Sequence, residues 1–241
     1  MIKFFRKIRQ KLIDEGNLKR YLIYAIGEIL LVVIGILIAL SINNKNQYKK
    51  DRILEIEILQ EISNNIKVDF IDHQQNISNL TKMVNSSEII LHHLNDNLPY
   101  HDSLAYHFSW LAFGANFDAV KSGYELMLSK GVNIIRNDTI RQKISYLYGN
   151  RYTWLRDFLK ERQNLESRIL RTDMMNKFKT FKITKTAVPR NYDKLKSDDD
   201  FKVRLDQNAY SSEYTLDSYK DLIKEVNFLV ENVEAEIKKL K

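Results

Sequence analysis

The stretch YLIYAIGEILLVVIGILIALSI, from Tyr21 to Ile42, decides how the chain is organised. It carries a single charged side chain, Glu28. At 1.5 Å per residue, a helix of this length spans about 33 Å, close to the roughly 30 Å hydrocarbon core of a bilayer. A buried helix of a soluble protein seldom stays apolar on every face over such a length. We therefore predict a transmembrane helix over residues 21–42.

A cleaved signal peptide is the alternative interpretation of this stretch. Ala39-Leu40-Ser41 has the small-x-small pattern of a cleavage site, and the preceding residues are basic. The apolar stretch is nevertheless longer than the about 7–15 residues typical of the apolar region of a signal peptide. We expect a retained anchor.

The basic residues around this stretch are distributed unevenly. Residues 1–20 hold seven basic and two acidic side chains, whereas four basic residues follow the stretch closely: Lys45, Lys49, Lys50 and Arg52. The positive-inside rule then places residues 1–20 in the cytoplasm and residues 43–241 outside it. In a Gram-negative cell this corresponds to an inner-membrane protein with a periplasmic domain.

Residues 1–20 also form a basic amphipathic arm. Apolar and basic side chains near the N-terminus fall on opposite sides of a helix, which is typical of segments that lie in the headgroup region and bind anionic lipid. The predicted lipid-surface contacts are Lys3, Phe4, Phe5, Arg6, Lys7 and Lys11. The alternative is that these charges only set the topology.

One face of the predicted transmembrane helix contains small and polar residues. Glu28, Leu31, Gly35 and Ala39 follow one another at a spacing of three to four residues. Gly35-x-x-x-Ala39 would let two helix backbones approach closely, and an intramembrane carboxylate usually faces a partner or water. We predict that this face packs against a copy of itself or another membrane protein. The alternative is that Glu28 reaches the interface or is protonated.

Residues 43–241 have the pattern of a helical bundle. The chain of 241 residues has only seven glycines and two prolines, and no segment alternates in the manner of a β-strand. Apolar residues recur at helical spacing from Ile53 to Leu94, with interruptions at His73 and Ser87. Further helical stripes run from Ile140 to Ile169 and from Leu216 to Leu240. We predict an all-α fold: one transmembrane helix followed by an antiparallel bundle of three long helices.

The pattern breaks over about residues 180–211. This region contains Pro189, an acidic run and many lysines, so we predict a loop-rich connection, with at most one short helix near residues 201–207, before a last helix near Thr215. A basic tract precedes and enters it: Lys177, Lys179, Lys182, Lys185, Arg190, Lys194 and Lys196. Such a tract suits a solvated loop, and alternatively contact with lipid headgroups or with an acidic partner.

Two blocks of the sequence resemble an uncharacterised family of bacterial single-span membrane proteins. The first is YAIGEILLVVIGILIALSINN, from Tyr24 to Asn44, and the second is SGYELMLSKGVNIIRNDTIRQKISYLY, from Ser122 to Tyr148. The resemblance implies an N-terminal anchor and a helical outer domain. It implies no activity and no catalytic residue.

The composition argues against most enzyme and metal chemistry. The chain has no cysteine, its glycines are scattered, and it contains neither G-x-S-x-G nor H-E-x-x-H. A metal shared by His92, Asp96 and either His101 or Asp102 is conceivable, but surface histidines near a helix end explain these residues equally well. We predict no catalytic residue, no cofactor and no metal.

Charge argues against a nucleic-acid partner as well. The net charge is +7, yet residues 43–241 contribute only +3 of it. We therefore expect a non-enzymatic single-span membrane protein whose periplasmic bundle mediates protein–protein interaction or assembly. The alternative is a periplasmic ligand-sensing module that acts through a separate membrane partner, because about 20 cytoplasmic residues leave no room for an output domain.

Overall fold

The computed structural model describes residue 10, residues 18–162, residues 165–166 and residues 168–241. The chain divides into two units, residues 1–54 and residues 55–241. The α-helices are α1 (Leu18–Asn95), α2 (Leu104–Trp110), α3 (Ser122–Lys130), α4 (Asp138–Tyr146), α5 (Tyr152–Arg162), α6 (Arg168–Lys177), α7 (Tyr192–Lys196) and α8 (Asp199–Leu240). A 3₁₀ turn spans Val132–Ile134, a π-helical segment spans Leu147–Arg151, and two strands are β1 (Phe178–Lys182) and β2 (Thr186–Pro189).

About 82% of the structure is helical, and β1 and β2 form a small antiparallel hairpin. The predicted all-α class is therefore confirmed.

In the first unit, the described part of α1 presents an apolar surface. Its most apolar 18-residue window has a mean hydropathy of 2.7, and none of that window is buried. Every residue from 29 to 50 is exposed. By length and composition, this helix can cross a membrane.

In the second unit, α8 runs antiparallel to α1. Lys67 Nζ on α1 lies 2.5 Å from Glu234 Oε1 near the end of α8, and Ser212 Oγ donates to Met83 Sδ at 3.1 Å. The helices α4 to α6 follow one another and together form the third long helical segment of the bundle, beside α1 and α8. Asn137 Nδ2 donates to Glu236 Oε2 at 2.9 Å. Arg151, which follows Asn137 in the chain, donates at 3.0 Å to Glu225, which precedes Glu236. This third segment is therefore also antiparallel to α8.

Between α1 and α4 the chain runs back along α1. This segment is irregular in part, so its backbone groups need partners outside a helix or sheet. Polar side chains of α1 supply them. The bonds are Arg136 N to Glu55 Oε1 (2.8 Å), Gly123 N to Asn65 Oδ1 (2.9 Å), Val120 N to Asp69 Oδ1 (2.9 Å) and Asn76 Nδ2 to Asn116 O (3.0 Å).

Two positions that interrupt the apolar pattern of α1 belong to the core. His73 and Ser87 are both fully buried. The Ser87 hydroxyl donates to the Met83 carbonyl at 3.0 Å, which satisfies it within its own helix. The buried face of α1 is thus continuous, although part of it is polar.

The prediction of a loop-rich connection over residues 180–211 is wrong. The hairpin and α7 occupy its first part, and α8 begins at Asp199 instead of near Thr215. The first turns of α8 bury Phe201 and Leu205, but the buried face then continues through three polar residues: Asn208, Ser212 and Thr215. Because those residues are polar, the hydrophobic pattern alone does not reveal this part of the helix.

Candidate functional site

The predicted helix-packing face lies open in the first unit. Leu31 is 70% exposed, Ala39 is exposed, and Glu28 is partly buried. A Cβ atom added at Gly35 would meet no atom within 4 Å. The face is therefore accessible to another helix, and its packing partner stays a prediction.

The predicted lipid-surface contacts lie outside the described residues. They are Lys3, Phe4, Phe5, Arg6, Lys7 and Lys11.

A cluster of polar side chains lies in the core of the second unit. The sequence patterns did not predict this cluster. Its centre is His73, which is fully buried among aromatic rings. The imidazole centroid lies 4.6 Å from that of Phe117, 5.4 Å from that of Tyr219 and 5.7 Å from that of Tyr152. Neither ring nitrogen of His73 has a hydrogen-bond partner among the described residues.

Asp69 lies one helical turn before His73 on α1. Its Oδ1 atom accepts a hydrogen bond from Val120 N, and Tyr148 donates to the Val120 carbonyl at 3.3 Å. The second carboxyl oxygen of Asp69 and the Tyr152 hydroxyl lack partners with hydrogen-bond geometry in the described part of the chain. The two groups are close enough to influence each other's pKa.

Burial shifts the pKa values of these groups strongly. Desolvation raises the pKa of Asp69 to about 7, although the hydrogen bond from Val120 N lowers it. Desolvation lowers the pKa of His73 to about 4. It also raises the pKa values of the tyrosines Tyr148, Tyr152 and Tyr219. At neutral pH the interior therefore favours a neutral imidazole, neutral phenols and a carboxyl near its titration midpoint.

This cluster can respond to protons, but its buried groups are not placed to act on a bound molecule. His73, Asp69 and Tyr219 are each at most 2% exposed. The available sequence signal was the placement of Asn65, Asp69, His73 and Asn76, which fall on one face of α1 at spacings of four, four and three residues. On an amphipathic helix such a stripe indicates a buried polar layer when it coincides with the apolar face.

A second buried polar layer involves Arg162 at the end of α5. Its guanidinium donates to Thr215 Oγ1 and to the Asn208 carbonyl at 3.2 Å each, and it also bonds to the Ser212 hydroxyl. These bonds connect α5 to the polar face of α8. The third guanidinium nitrogen, Nε, lies 3.5 Å from Glu166 Oε2. Since the other two nitrogens bind side-chain and backbone oxygens of one helix, this layer has the character of a packing element.

A cleft of about 370 Å³ lies beside the buried cluster. Phe117 separates it from His73, because its ring lines the cleft and packs on the imidazole. The lining carries both signs of charge. It consists of Asp72, Asn116, Phe117, Asp118, Arg156, Leu159 and Lys160.

The residues considered for a metal do not converge. His92 Nδ1 and Asp96 Oδ2 lie 3.0 Å apart on the surface, whereas His101 Nδ1 lies 2.8 Å from Ser103 Oγ. Within the described residues, no group of three or more acidic or histidine side chains could hold a metal ion. The expectations of no metal and no cofactor stay predictions.

The fold and these sites define a class: a helical-bundle protein whose described residues include one apolar helix, near the N-terminus, that is long and apolar enough to cross a membrane. The family model that matches the chain covers residues 28–156, which is more than half of its length. The chain belongs to DUF6090, a family of unknown function. No curated protein and no solved structure matches it.

The matched region contains most of the buried polar cluster, from Asn65 to Tyr152, whereas Tyr219 lies beyond it. It also contains the second block noted in the sequence, whose residues have structural roles. Asn137 caps α4 by accepting from Ile140 N at 3.3 Å. Arg141 donates to the Ile135 carbonyl at 3.0 Å, so that its guanidinium ties α4 to the preceding turn.

Proposed function

We propose that this is a non-enzymatic bacterial inner-membrane protein that is anchored by residues 21–42 and assembles with another protein. The observation that carries the proposal is the continuous, exposed and almost entirely apolar surface over residues 29–42. An exposed apolar surface of this extent is unfavourable in water and favourable in lipid. In this proposal the N-terminus is cytoplasmic and residues 43–241 are periplasmic.

The assembly surface is the open face of the apolar helix. Around Gly35 nothing occupies the space that a side chain would need, so a second backbone can approach there. Such close approach increases van der Waals packing, which drives helix association in lipid. Glu28 adds a polar group that a partner helix can bind by a hydrogen bond.

Crosslinking of the full chain in native membranes tests this surface. Gly35→Ile should block the close approach and Glu28→Leu should remove the polar contact, so each should reduce the crosslinked species. Val33→Leu is the matched control, since Val33 lies about 140° from Glu28 and about 160° from Gly35 around the helix. Equal crosslinking of all three variants would contradict the proposal and leave residues 21–42 as a plain anchor.

The orientation has a separate test. Alkaline phosphatase fused after Lys241 should be active, because it folds to its active form outside the cytoplasm. If a reporter that is active only in the cytoplasm were active at the same position and alkaline phosphatase were not, the topology would be the reverse of the one proposed.

The cleft beside Phe117 favours a second candidate function, ligand sensing. Acidic Asp72 and Asp118 and basic Arg156 and Lys160 line one small space, an arrangement that suits a zwitterion such as a free amino acid. Thermal unfolding of the full chain in detergent with a panel of amino acids tests it. A stabilisation that disappears in Lys160→Gln supports sensing, and no stabilisation by any amino acid counts against it.

A further inference from the structure

The β1–β2 hairpin and α7 carry a concentration of positive charge. The segment Lys177–Lys196 contains seven basic residues and one acidic residue, Asp193. Two of the basic residues are neutralised: Lys177 pairs with Asp198, and Lys196 lies 3.0 Å from Asp193.

The other five cations form what we name the hairpin basic patch. They are Lys179, Lys182, Lys185, Arg190 and Lys194. All five are exposed, and none has a carboxylate within ion-pair distance in the part of the chain that the structure describes.

Nearby acids do not cancel this charge, because other bases bind them. Asp199 pairs with Lys202 at 3.0 Å, and Arg204 binds both Asp173 and Asp200. The acidic run at the start of α8 is therefore neutralised within its own surroundings, and the patch keeps an excess positive charge.

The patch is also held in a fixed arrangement. Phe178 and Ala187 anchor the two strands in the core with exposures of 2% and 0%. The Thr184 N–H at the turn donates to the Ser109 carbonyl at 2.9 Å, and Arg190 N donates to the Lys177 carbonyl at 2.8 Å. Since the backbone is ordered before binding, little backbone conformational entropy is lost when a partner binds.

Arg190 and Lys194 border a shallow cleft of about 370 Å³, whereas the three hairpin lysines project from the turn and the strand. Exposed ammonium groups along one hairpin, together with the guanidinium of Arg190, fit phosphate groups that are distributed over a surface. An anionic bilayer presents such a surface, and each basic residue near it adds to the attraction.

We propose that the hairpin basic patch binds anionic phospholipid headgroups. This gives the bundle a lipid contact of its own, in addition to the apolar helix and independent of any protein that the helix binds. The predicted lipid contact of residues 1–20 is a different surface.

The test uses the full chain reconstituted in discs of neutral phosphatidylcholine. Its capture by vesicles is measured by flotation, with vesicles of phosphatidylcholine alone and vesicles that also contain phosphatidylglycerol. The test variant replaces Lys179, Lys182 and Lys185 together by Gln. The matched control replaces three exposed lysines elsewhere on the bundle, Lys130, Lys238 and Lys241, by Gln.

Wild type should bind the anionic vesicles, and high salt should release it. The hairpin variant should bind at least about tenfold more weakly, whereas the control should stay within about twofold of wild type. Because residues 1–20 could dominate vesicle capture, the comparison is repeated in a chain lacking residues 2–12. Equal melting temperatures of the two variants show that the hairpin variant is folded.

Three outcomes would overturn the proposal. The hairpin variant and the control variant could bind the anionic vesicles equally, both in the full chain and in the chain lacking residues 2–12. That result would show that the location of the lysines on the hairpin does not matter. Inorganic phosphate could displace the protein at matched ionic strength, which would indicate a site for free anions. Finally, the patch could bind poly-glutamate but not the anionic vesicles, which would indicate an acidic protein partner.

Discussion

Gly123 packs so closely on α1 that a Cβ atom at this position would lie 2.7 Å from the backbone nitrogen of Ile62. The neighbouring bond from Gly123 N to Asn65 Oδ1 fixes the chain at this spacing. The contact is with backbone atoms, so a side-chain rotation on α1 cannot relieve it.

Gly123→Ala should therefore destabilise the bundle. Because α3 or α1 would have to shift, we expect a cost of about 1–3 kcal/mol, typical of overpacking in a core. The measurement is thermal unfolding of the full chain in mild detergent, followed by circular dichroism.

Gly149→Ala is the control for this prediction. A Cβ atom at Gly149 would lie 3.7 Å from the Tyr124 hydroxyl, an ordinary van der Waals distance. Its melting temperature should stay close to that of wild type. If Gly123→Ala melted at the same temperature as Gly149→Ala, the close packing on Ile62 would not matter for stability.

Asp69 and His73 should affect the pH dependence of stability in opposite directions. The pKa of folded Asp69 is about 7 against an ordinary value of 3.8, so between these values the folded state binds the extra proton. Its contribution to stability falls as pH rises from about 4 to about 7, by no more than about 4 kcal/mol. The pKa of folded His73 is about 4 against 6.5, so its contribution rises over about pH 4 to 6.5, by at most about 3 kcal/mol.

In wild type these two contributions largely cancel between about pH 4 and 6.5, and each single variant should reveal the other. In Asp69→Asn, which keeps an oxygen for Val120 N, stability should rise with pH more steeply than in wild type, because the opposing contribution of Asp69 is removed and that of His73 remains. In His73→Leu, stability should fall with pH relative to wild type, because the contribution of His73 is removed and that of Asp69 remains. Thermal unfolding over this pH range provides the measurement, and identical slopes for the two variants would contradict the assignment.

The sequence predicted the helices well where the buried face is apolar. The apolar recurrence from Ile53 to Leu94 corresponds to the buried face of α1 in the second unit, although Ile53 itself is 59% exposed. Asn137 forms its cap within its own turn, because its side-chain oxygen binds the backbone N–H of Ile140. These features are local, and local patterns are visible in one sequence.

Features that depend on contacts distant in sequence were not predictable. His73 is an interruption in a hydrophobic pattern, and only the approach of Tyr152 and Tyr219 makes it a core residue. Likewise, the hairpin around Ala187 depends on packing against Phe108 and Phe201, since its strands are too short to show a period of two. The buried polar cluster and the cleft beside Phe117 were missed for the same reason, whereas the basic tract was visible because its residues are close in sequence.

Asp198 joins two functions at the start of α8. Its Oδ1 accepts from Phe201 N at 3.0 Å as the N-cap, and its Oδ2 binds Lys177 at the end of α6, directly before the hairpin. Burial acts to raise the pKa of this carboxyl, but the bonds from Lys177 and Phe201 N outweigh it, so the pKa lies below its ordinary value. A lowered carboxyl pKa stabilises the fold above the unfolded-state pKa, and this contribution is lost as pH falls below about 4.

Asp198→Ala should remove both functions and lower stability by about 1–2 kcal/mol at neutral pH, the sum of a lost cap and a lost half-buried ion pair. Asp198→Asn should keep the cap and lose only the ion pair, so its loss should be about 1 kcal/mol or less. Asp199→Ala is the control, because this carboxylate is 90% exposed and pairs only within its own helix. The measurement is thermal unfolding of the full chain in detergent at neutral and at acidic pH, where the differences between wild type and Asp198→Asn should disappear. If Asp198→Ala and Asp199→Ala had equal stability, Asp198 would not define the start of α8, and the early turns of that helix would depend on Phe201 and Leu205 alone.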